Sequence, residues 1–295
     1  MNFRQLETFY WSVLLGSFSA AAKRLNITQS TNSMRIQELE LEFGVSLFDR
    51  SKRKARVTKK GQQLIPFAEK LLGISATMRQ TICAPDAMVG SIRIGVAEVI
   101  SLTWLPQLMQ TLHNLYPKII FELDEALTED LVNNFENGTL DLILIPGRIV
   151  GENLSVSSLG SVDFQWMASP KLCVIEKFVT PLELQKWPII ALSEQSFHFS
   201  RIKNWFTAGH GKYRQDYRCK SVGVAYSLTK YGLGVALLPV KHCDEDLKLG
   251  RLRIIKTVPP MPSVEFFVIS RKKGINILSQ SIADIAKEIS DFKKI

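Results

Sequence analysis

The sequence contains few cysteines, and their spacing excludes two kinds of site. The cysteines are Cys83, Cys173, Cys219 and Cys243. They are too widely spaced for a Cys-x-x-Cys metal-ligand pair, and too few for a disulfide framework in a chain of 295 residues. We therefore expect buried free thiols and no metal site.

Long uncharged apolar runs are also missing. No run reaches the roughly 18 apolar residues that a membrane span needs. Residues 9–22 are largely apolar, but serines and a glycine interrupt them, which favours a helix of a small domain over a signal peptide. We expect a cytoplasmic protein that has no membrane partner.

The common catalytic motifs are absent as well. The chain has no Gly-x-Ser-x-Gly elbow, no His-Glu-x-x-His pair and no phosphate-binding loop. Gly232 and Gly234 lack the third glycine of a dinucleotide-binding turn, and they precede a predicted strand instead of following one. We therefore expect a protein that is not an enzyme and carries no cofactor.

Positive charge is concentrated at the N-terminus. The chain has a net charge of +9. Residues 1–61 account for +6 of it, with eleven Lys and Arg against five Asp and Glu. A basic end of this kind favours a polyanionic partner, either nucleic acid or acidic lipid.

The first 43 residues have the pattern of three helices. Apolar side chains recur at helical spacing over 4–15, and Ser17 or Ser19 can cap a second helix that ends near residue 25. Asn26 suits a left-handed position after a helix, and Thr28 is a good N-cap for a third helix over 29–43. Ile36, Leu39 and Phe43 are predicted to point inward. The arrangement predicts a helix-turn-helix whose third helix enters the major groove.

A basic loop follows this domain. Residues 50–60 contain seven cations and no acid, and four of these cations lie between short predicted strands at 47–48 and 56–57. A solvated basic loop is one interpretation, but beside a helix-turn-helix a phosphate-binding wing is the better one. The predicted DNA-binding residues are Ser17, Thr28, Gln29, Ser30, Ser33, Met34, Arg35, Gln37, Arg50, Lys52, Arg53, Lys54 and Arg56. Glutamine suits adenine edges and methionine suits a thymine methyl group.

A long helix of about 24 residues is predicted next, ending before Pro85. Its apolar positions alternate three and four residues apart, as in a coiled-coil seam. The predicted dimer contacts are Leu64, Phe67, Leu71, Met78 and Ile82. The alternative is a helix packed on its own domain. A dimer is favoured because a helix-turn-helix usually binds paired half-sites.

From residue 91 the pattern changes to strands that alternate with helices. Strands are predicted at 92–96, 119–124, 140–145, 164–168, 189–192, 218–221, 235–238 and 264–270. Helices are predicted at 102–116, 127–137, after 181, and at 201–206, 224–231 and 276–292. The first βαβαβ order argues for a parallel sheet with helices on both faces.

The motifs of residues 1–61 resemble the signature of the LysR-type transcriptional regulators. The matching residues are 16–25 and 28–30, Ile36, 39–40, 44–45, 47–48, Arg50, Thr58 and Gly61. Residues 224–239 match a recurrent piece of the family's sensor domain. The chain departs from the family at Asn32, where a hydrophobic residue is usual, and at Met34, where arginine is common.

The resemblance implies a fold and a domain division. The fold is an N-terminal all-α winged helix-turn-helix plus a long linker helix, followed by a C-terminal α/β two-subdomain domain like the periplasmic binding proteins. The domains are residues 1–58, the linker 59–88 and the effector-binding domain 89–295. Subdomain 1 is about 89–161 with 264–295, and subdomain 2 is about 162–263. A solute-binding transport protein is the rival, but it would need a signal peptide and has no reason for a basic helix-turn-helix.

The resemblance also implies partners: double-stranded DNA, a small-molecule effector, a homodimer or homotetramer, and RNA polymerase. In open α/β sheets ligands bind beyond the carboxyl ends of strands. The predicted effector residues are Glu98, Val99, Ile100, Ser101, Thr128, Pro146, Ser193, Ser196, Phe197, Arg201 and Gly223. Two interpretations stay open. Glu98 binds an effector amine, or it faces solvent while Val99 and Ile100 line an apolar pocket. Likewise, Thr128 binds effector or only caps its helix, and Arg201 binds a carboxylate or is a surface cation.

Overall fold

The computed structural model describes residues 1–49, 56–82, 84–172, 178–272 and 278–294, with residues 79 and 80 described in their backbone only. The N-terminal elements are α1 (Phe3–Leu14), α2 (Phe18–Arg24), α3 (Gln29–Phe43), β1 (Phe48–Asp49), β2 (Arg56–Val57) and α4 (Lys59–Ile82). Among the described residues, no helix is long and apolar enough to cross a membrane.

Local capping explains the helix boundaries of the N-terminal domain. The Ser17 hydroxyl accepts a hydrogen bond from the amide of Ala20 at 3.2 Å and so caps α2. The Thr28 hydroxyl caps α3 in the same way, and Asn26 has a φ of 52°, as predicted for the residue after a helix. Helix α3 has the predicted bounds.

One core prediction for α3 is wrong. Phe43 is 42% exposed, whereas Ile36 and Leu39 are fully buried. Helix α3 ends at Phe43, where Gly44 turns the chain with a φ of 66°. Leu47, on the returning chain, is buried and joins Ile36 and Leu39 in the core.

The linker helix α4 packs on the N-terminal core with one side only. Ala68 and Leu72 are buried against that core. Gly61 lies so close to the chain of β1 that a Cβ there would be 2.4 Å from the carbonyl oxygen of Leu47, so only glycine fits. The opposite side of the helix carries exposed apolar residues, described below.

The C-terminal domain contains ten strands and eight helices among the described residues. The strands are β3 (Gly90–Val96), β4 (Ile119–Glu125), β5 (Leu142–Pro146), β6 (Leu154–Val162), β7 (Phe164–Ala168), β8 (Ile190–Leu192), β9 (Tyr217–Cys219), β10 (Ala236–Pro239), β11 (Arg253–Ile255) and β12 (Val264–Arg271). The helices are α5 (Glu98–Ser101), α6 (Leu105–Leu115), α7 (Thr128–Glu136), α8 (Pro181–Leu184), α9 (Phe199–Ala208), α10 (Val222–Tyr231), α11 (Val240–Lys248) and α12 (Leu278–Ile289).

The first subdomain is a five-stranded sheet in the order β4-β3-β5-β12-β6. Strands β3, β4 and β5 are parallel, as predicted. The complete sheet is mixed, because β12 runs antiparallel to both β5 and β6. Strand β6 was not predicted, since its sequence LSVSSLGSV alternates with serine and looks polar.

The core of this subdomain has two layers. In β5, Leu142 and Leu144 pack with α6 and α12, whereas Ile143 and Ile145 pack with α7 on the other face. All four side chains are fully buried. A strand buried on both faces reads as a continuous apolar run, which is why it was predictable.

The second subdomain is built from smaller sheets. Strands β10, β7 and β11 form an antiparallel sheet, and β8 pairs in parallel with β9. A parallel bridge between Ile189 and Val235 joins the two. The chain crosses between the subdomains twice, from β6 to β7 and from β11 to β12.

The N-terminal domain rests on the first subdomain. The Arg24 guanidinium pairs with the carboxylate of Asp141, donates to the carbonyl oxygen of Thr139 at 3.3 Å, and lies 4.2 Å from the ring centroid of Trp11. Both partners of the ion pair are nearly buried, with side-chain exposures of 9% and 4%. A second bond fixes Asp141, which accepts from the amide of Arg93 at 2.8 Å.

Candidate DNA-binding and effector-binding sites

The outward side of α3 carries most of the predicted base-contacting residues. Gln29, Ser30, Met34 and Gln37 are exposed, and Ser33 is half-buried. Two further predicted contacts have another use in the described structure. Ser17 and Thr28 use their hydroxyls in helix caps, although Thr28 remains exposed.

Arg35 lies apart from this outward set. Its guanidinium donates to the hydroxyl of Thr8 on α1 at 3.4 Å, and the residue is half-buried. Arg35 belongs to a polar interface between α1 and α3. In that interface the side-chain amide of Gln5 donates to Glu38 at 2.9 Å, and the hydroxyl of Ser12 donates to the Oδ1 of Asn32 at 3.3 Å.

Arg56 is the one predicted wing cation that the structure describes, and it is exposed. The other predicted wing residues, Arg50, Lys52, Arg53 and Lys54, lie outside the described residues. Lys59 and Lys60 follow at the start of α4 and are also exposed. The described cations therefore lie on the chain that leads from the predicted wing into the linker helix.

Helix α4 has an uncovered apolar stripe. Its members are Phe67 (64% exposed), Leu71 (38%), Ile74 (57%), Met78 (58%) and Ile82 (77%). They recur every three or four residues and therefore share one side of the helix. Leu64, the remaining predicted dimer residue, is half-buried and packs against the domain core. Ile74 belongs to the stripe but was not predicted.

A cavity of about 290 Å³ lies between the two subdomains. Its lining residues come from the carboxyl ends of strands and from helix N-termini on both sides. They are Ala97, Glu98, Val99, Glu125, Ala126, Leu127, Thr128, Asp130, Pro146, Leu192, Ser196, Phe197, His198, Lys220, Ser221, Val222 and Phe266. The cavity is open to solvent along part of its boundary, where Glu125 and Lys220 are exposed.

The structure brings six of the predicted effector residues into this lining: Glu98, Val99, Thr128, Pro146, Ser196 and Phe197. The others lie outside it. Ile100 is fully buried in the core. Ser101 and Ser193 have buried hydroxyl oxygens with no partner in the described structure. Gly223 contacts the site through its amide, which donates to Glu98.

Arg201 does not line the cavity, although its guanidinium lies 5.7 Å from the ring centroid of Phe197, which does. Its guanidinium donates to the carbonyl oxygens of Pro262 at 3.2 Å and Ser263 at 3.3 Å, on the segment that leads back to the first subdomain. This contact links α9 to the crossing between the subdomains. The hydrogen bonds of the Arg201 guanidinium are therefore made to the backbone of the same chain.

Thr128 is the first residue of α7 but does not cap it. The N-cap is Leu127, and no side chain caps this helix. The Thr128 hydroxyl has no hydrogen-bond partner among the described residues and lines the cavity. The hydroxyl is thus available to a ligand.

The structure gives Glu98 a contact that neither of the two interpretations left open by the sequence included. The residue is half-buried and lines the cavity. It accepts hydrogen bonds from the first turn of α10, across the cavity.

His198 is neutral in this site. Complete burial and the nearby Arg201 charge lower the pKa of the imidazole to about 3. Its ring packs on Phe164 with a centroid distance of 4.1 Å. The wall that His198 contributes is therefore uncharged at neutral pH.

Sequence reasoning missed the part of the lining that comes from β9 and α10. Lys220, Ser221 and Val222 follow the carboxyl end of β9 and begin α10. The rule that ligands bind beyond strand ends applies to this strand too, and Ser221 is a typical N-cap. Those two signals together would have identified this wall.

The fold and the site define a class of protein: a helix-turn-helix domain joined by a long helix to a two-subdomain α/β binding domain. Residues 3–62 match the bacterial regulatory helix-turn-helix family of lysR type, and residues 86–288 match the LysR substrate binding domain. The chain belongs to the LysR family of transcriptional regulators.

Full-length relatives support this assignment. The chain is 28% identical over 292 residues to a probable RuBisCO transcriptional regulator of Emiliania huxleyi, covering 95% of this chain and 88% of the relative. It is 24% identical over 291 residues to the HTH-type transcriptional regulator CzcR of Bacillus anthracis, covering 99% of this chain and 98% of the relative.

Solved structures share the fold. ArgP from Mycobacterium tuberculosis superimposes with a TM-score of 0.68 at 19% identity, covering 99% of this chain and 98% of ArgP. Full-length LysG from Corynebacterium glutamicum, solved with bound effector Arg, superimposes with a TM-score of 0.65 at 18% identity, covering all of both chains.

Proposed function

We propose that this regulator acts in the cytoplasm as a dimer whose DNA binding or promoter activation responds to a small metabolite bound between the two subdomains. We further propose that this effector carries an amine. The observation that carries the second part is the charge of the cavity. Among the described lining residues, Glu98, Glu125 and Asp130 bear carboxylates, and only Lys220 bears a cation.

The carboxylates differ in what they can bind. Glu98 is already held by α10. Glu125 and Asp130 have no ion-pair or hydrogen-bond partner among the described residues, and both line the cavity. They can attract an ammonium group, while Lys220 can pair with a carboxylate on the same ligand. The cavity is small, which favours a metabolite about the size of an amino acid.

Calorimetry with a matched pair of ligands tests the effector class. We expect 6-aminohexanoate to bind and hexanoate, which lacks only the amine, to bind more weakly. Arginine, the effector bound in LysG, serves as a second amine. Combining Glu125→Gln with Asp130→Asn should weaken the binding of the amines about tenfold, equivalent to about 1.4 kcal/mol.

The control for this experiment is Glu129→Gln. Glu129 is exposed in the first turn of α7, beside Asp130, but does not line the cavity. The Glu129→Gln variant should leave affinity unchanged. Tighter binding of hexanoate than of either amine would instead support an apolar acid as the effector.

The DNA-binding part of the proposal assigns the basic loop to phosphates and the outward side of α3 to bases. The variant Arg53→Ala should weaken binding to all duplexes similarly and flatten the salt dependence by about one unit. Arg253→Ala removes an exposed cation from the sensor domain and should change neither quantity. An unaltered salt slope in Arg53→Ala would contradict the wing assignment.

The dimer part of the proposal uses the apolar stripe of α4. Combining Leu71→Asp with Met78→Asp would bury two carboxylates in a helix–helix interface, at a cost of several kcal/mol. Sedimentation velocity should then show monomers. Gln62→Asp, an exposed position of α4 outside the stripe, should leave the dimer intact. A dimer that survives the double replacement would place the interface elsewhere.

A further inference from the structure

The carboxylate of Glu98 is bound by three donors from the other wall of the cavity. The hydroxyl of Ser221 donates to Oε1 at 2.6 Å. The amide of Val222 donates to Oε2 at 2.5 Å, and the amide of Gly223 donates to Oε1 at 2.9 Å. Each oxygen of the carboxylate therefore has at least one short donor.

These donors form an anion-binding site. Ser221 is the N-cap of α10, a helix of ten residues, and its hydroxyl also accepts from the amide of Val224 at 3.1 Å. The first amides of a helix have no partner within the helix, and its N-terminus carries partial positive charge. Hydrogen bonds from such groups to a carboxylate are short and strong. This geometry suits a bound carboxylate, and Glu98 of the same chain supplies it.

The contact also crosses between the subdomains. Glu98 begins α5, directly after β3 in the first subdomain, and α10 belongs to the second. The donors lie 123 to 125 residues away along the chain. Closing this contact therefore fixes the distance between the two walls of the cavity.

We propose that Glu98 is a built-in ligand of the sensor cleft: a tethered carboxylate that occupies the anion site of α10 and holds the subdomains together when no effector is bound. This inference deepens the proposed function, because it concerns the regulation of the same cleft. Glu98 is attached to the wall opposite its site, so a free carboxylate competes with a group at high effective concentration. An effector carboxylate must therefore bind elsewhere, beside Lys220, or displace Glu98 and release the contact.

Removing the tethered carboxylate tests the proposal without any effector. In full-length Glu98→Ala, hydrogen exchange at the amides of Val222 and Gly223 should become at least about tenfold faster, since they lose their acceptor. The melting temperature should fall. Sodium acetate should restore protection and melting temperature in this variant, relative to sodium chloride of equal ionic strength, by refilling the anion site.

Three comparisons make the result specific. Glu129→Ala removes an exposed carboxylate of α7 that does not line the cavity, and acetate should have no effect on it. Adding Ser221→Ala to Glu98→Ala should weaken the response to acetate. Glu98→Gln keeps the side-chain shape and one acceptor oxygen, so it should show intermediate exchange even if Glu98→Ala folds poorly.

Unchanged exchange at Val222 and Gly223 in both Glu98 variants would overturn the proposal, as would an absence of acetate rescue in a folded Glu98→Ala. Both measurements are made on effector-free protein. Failure here therefore leaves the amine-effector proposal standing, and failure of the ligand panel leaves this one standing.

Discussion

The interior of the helix-turn-helix domain differs from the interior of the sensor sheet. Between α1 and α3 the contacts include three polar pairs, Gln5 with Glu38, Thr8 with Arg35, and Ser12 with Asn32. In β5, by contrast, the four residues from Leu142 to Ile145 are apolar and fully buried.

The difference has an energetic consequence. Burying apolar surface contributes about 25 cal/mol per Å², whereas an intramolecular hydrogen bond adds only about 1 kcal/mol net because hydrogen bonds to water are given up. Asn32 is fully buried, and its Nδ2 has no partner in the described structure. We therefore expect the sensor sheet to be stabilised by its own core, and the small domain to depend more on its contacts with α4 and with the sensor domain.

Placing a polar group in the sensor sheet should have the largest effect. Leu144→Asn loses the burial of an apolar side chain and leaves an amide without partners, at a combined cost of about 3–6 kcal/mol. Tryptophan fluorescence can follow this loss during urea unfolding, because four of the five tryptophans lie beyond residue 100. Leu144→Met, which roughly conserves volume, should cost less than about 1.5 kcal/mol.

Breaking the contact between the domains should have the next largest effect on stability. Arg24→Ala leaves Asp141 nearly buried without its cation, and we expect a loss of about 3 kcal/mol in the contact between the domains. Hydrogen exchange should accelerate in residues 1–49 more than in β5. Glu122→Gln is the matched control, since Glu122 pairs with Arg93 at 2.9 Å but is 45% exposed in its side chain, and its loss should cost less than about 1 kcal/mol. Equal protection of residues 1–49 in Arg24→Ala and the parent would contradict the dependence of one domain on the other.

Acidification should lower stability through histidine protonation only in the sensor domain. All four histidines lie beyond residue 112, and burial lowers the pKa of His198 from 6.5 to about 3. Between these values the unfolded chain binds a proton that the folded chain does not, so stability falls as pH falls from about 6.5 towards 3. At pH 5 the loss from His198 is about 2 kcal/mol.

The variant His198→Phe should remove this slope, as measured by urea unfolding at pH 7 and pH 5. His113→Gln replaces an exposed histidine and should keep the slope. If His198→Phe loses as much stability as the parent on acidification, His198 is not the group responsible.

Removing one polar pair from the small domain should have the smallest effect on stability, and this effect should be an increase. Asn32→Leu with Ser12→Ala replaces both partners by apolar groups and relieves the unpaired Nδ2, so we expect a gain of about 1 kcal/mol. Ser12→Ala alone should destabilise, because it leaves the Oδ1 of Asn32 without its donor. Hydrogen exchange in α3 measures both. A loss of stability in the double variant would show that this pair contributes more than its geometry indicates.

Local signals explain which elements were predictable. Thr28 as the N-cap and the helical spacing of Ile36 and Leu39 predicted α3, and each signal acts over a few residues. The apolar run of β5, which is buried on both faces, and the parallel order of the first three strands were also predicted from sequence patterns. The serine-rich strand β6 was missed because an edge strand can be paired and still have a polar sequence. The predicted helix at 102–116 begins later than expected, because α5 ends at Ser101 and α6 starts at Leu105, followed by Pro106.

The candidate effector site was predictable only in part, for the same reason. Glu98, Thr128 and Phe197 were found because each follows a predicted strand. What each side chain binds was not visible. The sequence left Glu98 as an amine ligand or a solvent-facing acid, and it left Arg201 as an effector ligand or a surface cation.

By itself, the sequence determined most of the elements, the family and the basic character of the DNA-binding end, because these depend on residue types and on interactions between near neighbours. Tertiary structure alone decided that Glu98 binds the N-terminus of α10 and that Arg24 pairs with Asp141. Those partners are 123 and 117 residues apart. A carboxylate or a guanidinium can bind any complementary group that packing brings within reach, and packing of distant segments leaves no local pattern in the chain.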